Sequence, residues 1–406
     1  MTSAVPATPV SERSTVALLV LCQSMFFSGV VVIMTLSALV GDMLAENKTL
    51  TTLPLAVQMT ATMLSTVPAS LAMGRWGREA GFTGGLLVGA LGALIAAGSI
   101  VWGSLFLFAI GSALMGSAVA VGHFFSFAAA DVASPSFKPR AISYVMVGGV
   151  IAALLGPEMA KATRLMLPPF VFAGCFLAIA ALWVLTILPV SRLALPRQTA
   201  ADLAGPRRPL AAIVRQPAFI VAVLSGMVGY AVMTLIMTAT PLAMVGCGFA
   251  FTDAALVIQW HSVGMFAPSF VTGTLIHRYG VATILLAGAA LCAAAAAINL
   301  SGLEMLHFFS SLVLVGVGWN FLYIGGSTLV TETYAPAEKA AAQGLNDFLV
   351  FSSSAAAAFL SGALQHRFGW EAVNLGVLPA IALSLAASLW LLWLRRAPRL
   401  EGRPAE

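Results

Sequence analysis

Two pairs of side chains stand out for the chemistry their spacing allows. Met233 and Met237 lie in one long apolar run, and His261 and Met265 lie in the next. Residues i and i+4 share a helix face, with Cβ atoms about 5–6 Å apart, so each pair can converge on one ion. Thioether sulfur with imidazole nitrogen is a soft donor set that selects Cu(I) over hard cations. A thioether has no proton to lose, and a buried imidazole stays neutral and able to ligate. Such a set can also release its ion, which a thiolate cage would resist. The competing reading of the same residues is packing, because methionine fills gaps in apolar helices.

Around these four lie secondary candidates. Met59 and Met63, in the second apolar run, map onto His261 and Met265 at an offset of 202 residues, so the two halves of the chain present related faces. Met34 is a further secondary metal candidate, and Met244 and Cys247 are candidates to receive metal at the periplasmic mouth, which Met43 also faces. Charge within lipid is costly and usually functional, which singles out three acids. Glu158, following Gly156-Pro157, is the candidate to carry a coupling ion, while Asp131 and Asp347 are expected in gate ion pairs. Arg75, Arg78 and Arg278 are the basic members expected at that gate.

The elements that position these residues follow from composition. Of 406 residues 60% are hydrophobic and 9% charged, and the mean hydropathy is +0.98. A soluble protein carries about 25% charged residues, so soluble enzymes, nucleic-acid binders and secreted disulfide scaffolds are excluded. The chain reads as an all-α integral membrane protein with twelve apolar stretches of about 20 residues, each long enough to cross about 30 Å of hydrocarbon. Residues 1–190 are expected to form a six-helix bundle, 191–216 a polar, basic linker and 217–406 a second six-helix bundle. Of 20 Lys and Arg, only Lys48, Lys161, Arg164 and Arg367 fall on the side away from the termini. The positive-inside rule therefore predicts that both termini and the linker are cytoplasmic.

An internal repeat supports the division into halves. Ser70 to Gly77 ends in Arg75-Trp76-Gly77, and Gly273 to Gly280 ends in Arg278-Tyr279-Gly280, with the two arginines 203 residues apart. These loops resemble the GxxxDRxGRR signature of the major facilitator superfamily, with Ser70 in place of the first Gly and Gly74 and His277 in place of the Asp. Gly148 to Pro157 resembles the Gly/Pro motif of antiporters in that superfamily. The resemblance implies the major facilitator fold, with a central cavity between two bundles. Within it, MxxxM on the seventh span and HxxxM on the eighth, followed by Phe266-Ala-Pro-Ser-Phe270, resemble the CcoA-like branch of copper importers. That resemblance implies import of copper as transported substrate, with Met233, Met237, His261 and Met265 as ligands, in service of cbb3-type cytochrome oxidase assembly. Its implied partners are the copper ion, membrane lipid and a copper chaperone on either side, with no permanent cofactor.

Two other functions fit the same residues. A carrier of a planar organic molecule, such as riboflavin or a drug, would hold it with Phe26, Phe27, Tyr230, Trp260 and Phe266 and use the methionines as adaptable lining. A membrane-embedded sensor or scaffold would bind copper without moving it. No GxxxxGK[ST] sequence is present, so transport driven by nucleotide hydrolysis in this chain is not expected.

Overall fold

The structure is a computed structural model that describes residues 12–134, 138–193, 195, 208–335 and 338–396. The first half holds α1 (Glu12–Leu44), α2 (Leu53–Trp76), α3 (Arg78–Trp102), α4 (Leu105–Gly122), α5 (Phe124–Val132), α6 (Lys138–Thr163) and α7 (Ala173–Val190). The short α8 (Leu210–Val214) precedes α9 (Pro217–Gly246), α10 (Phe251–Phe266), α11 (Ser269–Tyr279), α12 (Val281–Ser301), α13 (Met305–Thr331) and α14 (Lys339–Arg396). Among the described residues ten helices are long and apolar enough to cross a membrane, and α10 with α11 makes an eleventh. α14 turns at Gly369, whose φ of 78° breaks the helix into two legs. Counting both legs gives the expected twelve crossings.

One expected span is broken among the described residues. The eighth bends by 42° between α10 and α11, where Pro268 lacks the N–H that would continue the helical ladder. The fourth comprises α4 and α5, and His123 between them keeps right-handed helical angles (φ −62°, ψ −23°). The repeated loops are built alike in both halves. Gly77 and Gly280 have φ of 90° and 84°, a region that glycine enters without steric cost, and each donates its N–H to a carbonyl four residues back. Beside them Arg75 lies over the Trp76 ring and Arg278 over the Tyr279 ring, at 5.9 and 5.3 Å.

Each half has its own apolar core. Leu19, Phe82, Phe108, Phe125, Phe176 and Trp183 belong to the first, and Ile236, Leu285, Phe308, Leu312 and Leu322 to the second. Between them, α2 packs against α14 and α6 against α10. A small cluster of Leu55, Ala56, Met59 and Ala358 closes the first of these seams. Polar contacts across the seam, among the described residues, lie at the end away from the termini and at mid-depth. The Thr51 hydroxyl and Asp42 Oδ1 each approach His366 Nε2 to 3.2 Å. Gly362 N–H donates to Thr52 Oγ1 at 3.1 Å, and Gln259 Nε2 donates to the Leu154 carbonyl at 3.2 Å. Among the described residues, the polar contacts that fasten an end of the seam lie at the end opposite the termini.

Candidate substrate-binding site

At mid-depth, aromatic rings from both halves form a closed circuit. Phe27 of α1 is 6.1 Å from His123, which is 5.6 Å from Phe351 of α14. Phe351 lies 5.5 Å from Tyr230 of α9, and Tyr230 lies 5.3 Å from Trp319 of α13. Trp319 is 6.3 Å from Phe266 at the end of α10, and Phe266 returns to Phe27 at 6.2 Å. Tyr323 stacks on Trp319 at 5.1 Å with 16° between planes. Most of the other contacts are edge-to-face, which the ring quadrupole favours, each adding about 0.5–1.5 kcal/mol beyond area burial. Two of these contacts, Phe27–Phe266 and His123–Phe351, join one half to the other.

Local sequence explains how the rings meet. His123, on helical backbone between α4 and α5, carries its ring between Phe27 and Phe351. Trp319 and Tyr323 are four apart and therefore share one face of α13. Gly149 lets α6 approach α10, since a Cβ there would stand 2.9 Å from the Phe266 ring. Of the rings expected to hold an organic molecule, Phe27, Tyr230 and Phe266 belong to the circuit. Phe26 does not: it stacks on Trp183 at 5.0 Å inside the first core. Trp260 is exposed on the outer side of α10 and packs on Phe309. Trp319, Tyr323 and Phe351 escaped the sequence reading, although the i, i+4 spacing of Trp319 and Tyr323 within one span was a visible signal.

The four expected copper ligands all belong to the second half. Met233 and Met237 are buried in its core, and Met265 packs against it half-buried. His261 is fully buried, and its Nδ1 is 2.7 Å from the Leu312 carbonyl of α13. That contact makes Nδ1 the protonated nitrogen and turns the ring toward its own bundle, while Nε2 has no hydrogen-bond partner. α10 packs chiefly on α13 and α6 and meets α9 only briefly. Among the described residues no group of three or more His, Cys, Asp or Glu side chains is placed to hold a metal.

The secondary candidates are dispersed. Met59 sits in the seam cluster, and Met63 Sδ accepts from Ser352 Oγ across the seam at 2.9 Å. Met34 touches both cores and the seam cluster. Met244 is fully buried in the second core, whereas Cys247 is exposed at the end of α9. Glu158 pairs with Lys161 at 2.5 Å, and it borders a groove of about 640 Å³ between α1, α6 and α7.

Of the expected gate residues, Arg75 and Arg278 are exposed and stack on their neighbours, and Arg78 is half-buried at the start of α3. The Asp131 side chain lies outside the described residues. Asp347 accepts from Asn346 Nδ2 at 3.0 Å and, among the described residues, pairs with no basic side chain, in contrast to the expected gate pair. Outside the membrane-spanning segments, Glu338 is gripped by Arg208. The guanidinium donates to both carboxylate oxygens, and Arg208 N–H and Ala335 N–H add to it. The Arg208 hydrogen bonds, followed by those from the backbone, lower the Glu338 carboxyl to about 2.

The sequence matches the Major Facilitator Superfamily over residues 16–358 and again over 232–406. The chain belongs to the major facilitator superfamily. Within this superfamily it is 41% identical over 377 residues to the riboflavin transporter RfnT of Brucella anthropi, covering 92% of this chain and 95% of the relative. It is 26% identical to YddS and 27% identical to YdeG, two uncharacterized superfamily transporters of Bacillus subtilis. These matches cover 93% and 84% of this chain, and 91% and 83% of the relatives. The protein is therefore a multi-pass membrane transporter of the superfamily. Nothing in these matches supports the copper-importing branch.

Proposed function

We propose that this superfamily member carries riboflavin, or a flavin closely related to it, across the bacterial inner membrane by alternating access. The observation that carries the reading is the aromatic circuit, which spans the seam between the halves at mid-depth. A fused flat ring system offers large apolar faces to aromatic side chains, and sites near the midplane at the interface of repeats are where such carriers hold substrate. The 41% identity to a riboflavin transporter supports the same reading.

The way the halves touch supports the mechanism. Contacts near Asp42, Thr51, Thr52 and His366 hold the halves together at the end away from the termini. With both termini cytoplasmic, as the distribution of Lys and Arg predicts, this arrangement is closed to the outside. Rocking of one bundle on the other would part Phe27 from Phe266 and His123 from Phe351, so the two conformations offer different contacts to the ligand. Differential affinity of that kind is what allows a ligand to bias a conformational equilibrium.

Labelled riboflavin uptake in a riboflavin-requiring strain, with and without this protein, tests the reading. Saturable uptake that depends on the protein is expected, with copper accumulation unchanged at limiting external copper. Copper accumulation that follows expression of the protein, without flavin uptake, would restore the thioether–imidazole reading.

A further inference from the structure

Within the aromatic circuit one polar atom is left over. Trp319 is 5% exposed, and its indole Nε1 is buried with no hydrogen-bond partner. One face of this indole is covered by Tyr323, which stacks on it, and the Tyr230 and Phe266 rings meet it at steep angles. The contrast with Trp183 is direct, since that indole is equally buried and donates to the Phe26 carbonyl at 3.0 Å. Trp370 also has an unpartnered Nε1, but it packs on Phe308 within the second core, away from the seam. Among the described residues, Trp319 alone combines a buried, unmet donor with a place in the seam-spanning circuit.

A buried donor without an acceptor costs as much as the desolvation of the group. The cost is offset when a ligand brings an acceptor to it, and sites that hydrogen-bond a substrate discriminate strongly against analogues lacking the group. We infer that Trp319 is a specificity-determining residue whose indole N–H donates to a carbonyl oxygen on the edge of a planar, fused heteroaromatic substrate. The inference rests on the proposed flavin transport and deepens it. The rings of the circuit suit any flat ring system, and the single N–H selects those with a carbonyl-bearing edge, such as the pyrimidinedione ring of a flavin.

The test compares wild-type protein with Trp319→Phe in labelled riboflavin uptake, with lumichrome and phenazine as competitors. Both competitors are three fused flat rings, and only lumichrome has the carbonyl edge. In the wild type, lumichrome should compete at least about tenfold better than phenazine. In Trp319→Phe the ring is kept and the donor removed, so KM for riboflavin should rise about tenfold while the maximal rate stays within about twofold, as loss of one buried hydrogen bond predicts. The preference for lumichrome should shrink toward equality, a change that a purely structural tryptophan would not cause. Unchanged KM and unchanged preference in the variant would overturn the role of Trp319 and leave flavin transport standing. Equal competition by the two compounds in the wild type would overturn it as well, even if the variant failed to fold. A wild type that takes up no flavin would instead overturn the transport reading, and this inference with it.

Discussion

His366 Nε2 lies 3.2 Å from Asp42 Oδ1, joining the end of one half to the end of the other, 324 positions apart in sequence. Lys48 pairs with the same Asp42 oxygen at 3.4 Å, and the Thr51 hydroxyl also reaches the His366 nitrogen. Asp42 is therefore the hub of a small polar latch at the end of the seam away from the termini. Its members are partly exposed, so the latch contributes modestly, on the order of 0–1 kcal/mol per pair. A contribution of that size is enough to bias two conformations that differ little in energy.

His366→Ala should therefore shift the population toward the conformation open at that end by up to about fivefold. Accessibility of a single introduced cysteine near Thr52 to a membrane-impermeant thiol reagent would report it. Unchanged labelling would show that the His366 contacts do not bias this end.

The aromatic circuit leads to a second expectation. Phe27→Ala and Phe351→Ala each remove a ring that faces the opposite half, and each should raise KM for riboflavin about tenfold or more, because base-like rings lose about 1–3 kcal/mol per stacking partner removed. Phe26→Ala should behave differently. That ring is buried against Trp183 within one bundle, so its loss should lower stability by about 3–5 kcal/mol and reduce protein yield before it changes KM.

Sulfur chemistry separates the two substrate readings. Met233→Leu and Met237→Leu nearly keep volume and remove the thioether, a change that typically costs less than about 1.5 kcal/mol in a core. Flavin uptake should stay within about threefold of wild type in both. Uptake that collapses in these variants, and in His261→Gln, would argue for ligation by sulfur and imidazole.

Close approach of α6 to α10 can be tested at one position. A Cβ at Gly149 would meet the Phe266 ring at 2.9 Å and 3.0 Å, so Gly149→Val should hold the two halves apart at the seam. The expected result is a folded, membrane-inserted protein with uptake lowered at least about tenfold, whereas Gly74→Val, where a Cβ would meet nothing within 4 Å, should be tolerated.

The Arg208–Glu338 contact gives a pH dependence with a defined sign. Its hydrogen bonds lower the folded-state carboxyl of Glu338 from 4.5 to about 2. A depressed acid stabilises the folded contact above the unfolded value, and the stabilisation fades as pH falls from about 4.5 through about 2. Proteolysis next to Arg208 should therefore accelerate as pH is lowered through that window, using an acid-tolerant protease. Glu338→Gln should show the faster cleavage at every pH.

The twelve crossings, the two halves and their matching loops were legible in the sequence because each depends on local properties. Length and apolarity suffice to define a span. The Arg-aromatic-Gly repeat marks turns whose left-handed glycines, Gly77 and Gly280, are dictated by adjacent residues alone. Spacing of four along α9 and α10 correctly placed Met233 with Met237 and His261 with Met265 on shared faces. It could not tell where those faces turn. The Leu312 carbonyl, 51 residues away, draws His261 toward α13, and no helical period encodes a bond to another helix. The circuit was hidden for the same reason: Phe27, His123, Phe351 and Trp319 come from four spans, and only packing of one bundle on the other brings their rings within contact. Local sequence fixed which residues could meet along a helix, while tertiary packing decided which of them face the seam, because helix rotation is set by side chains far away along the chain.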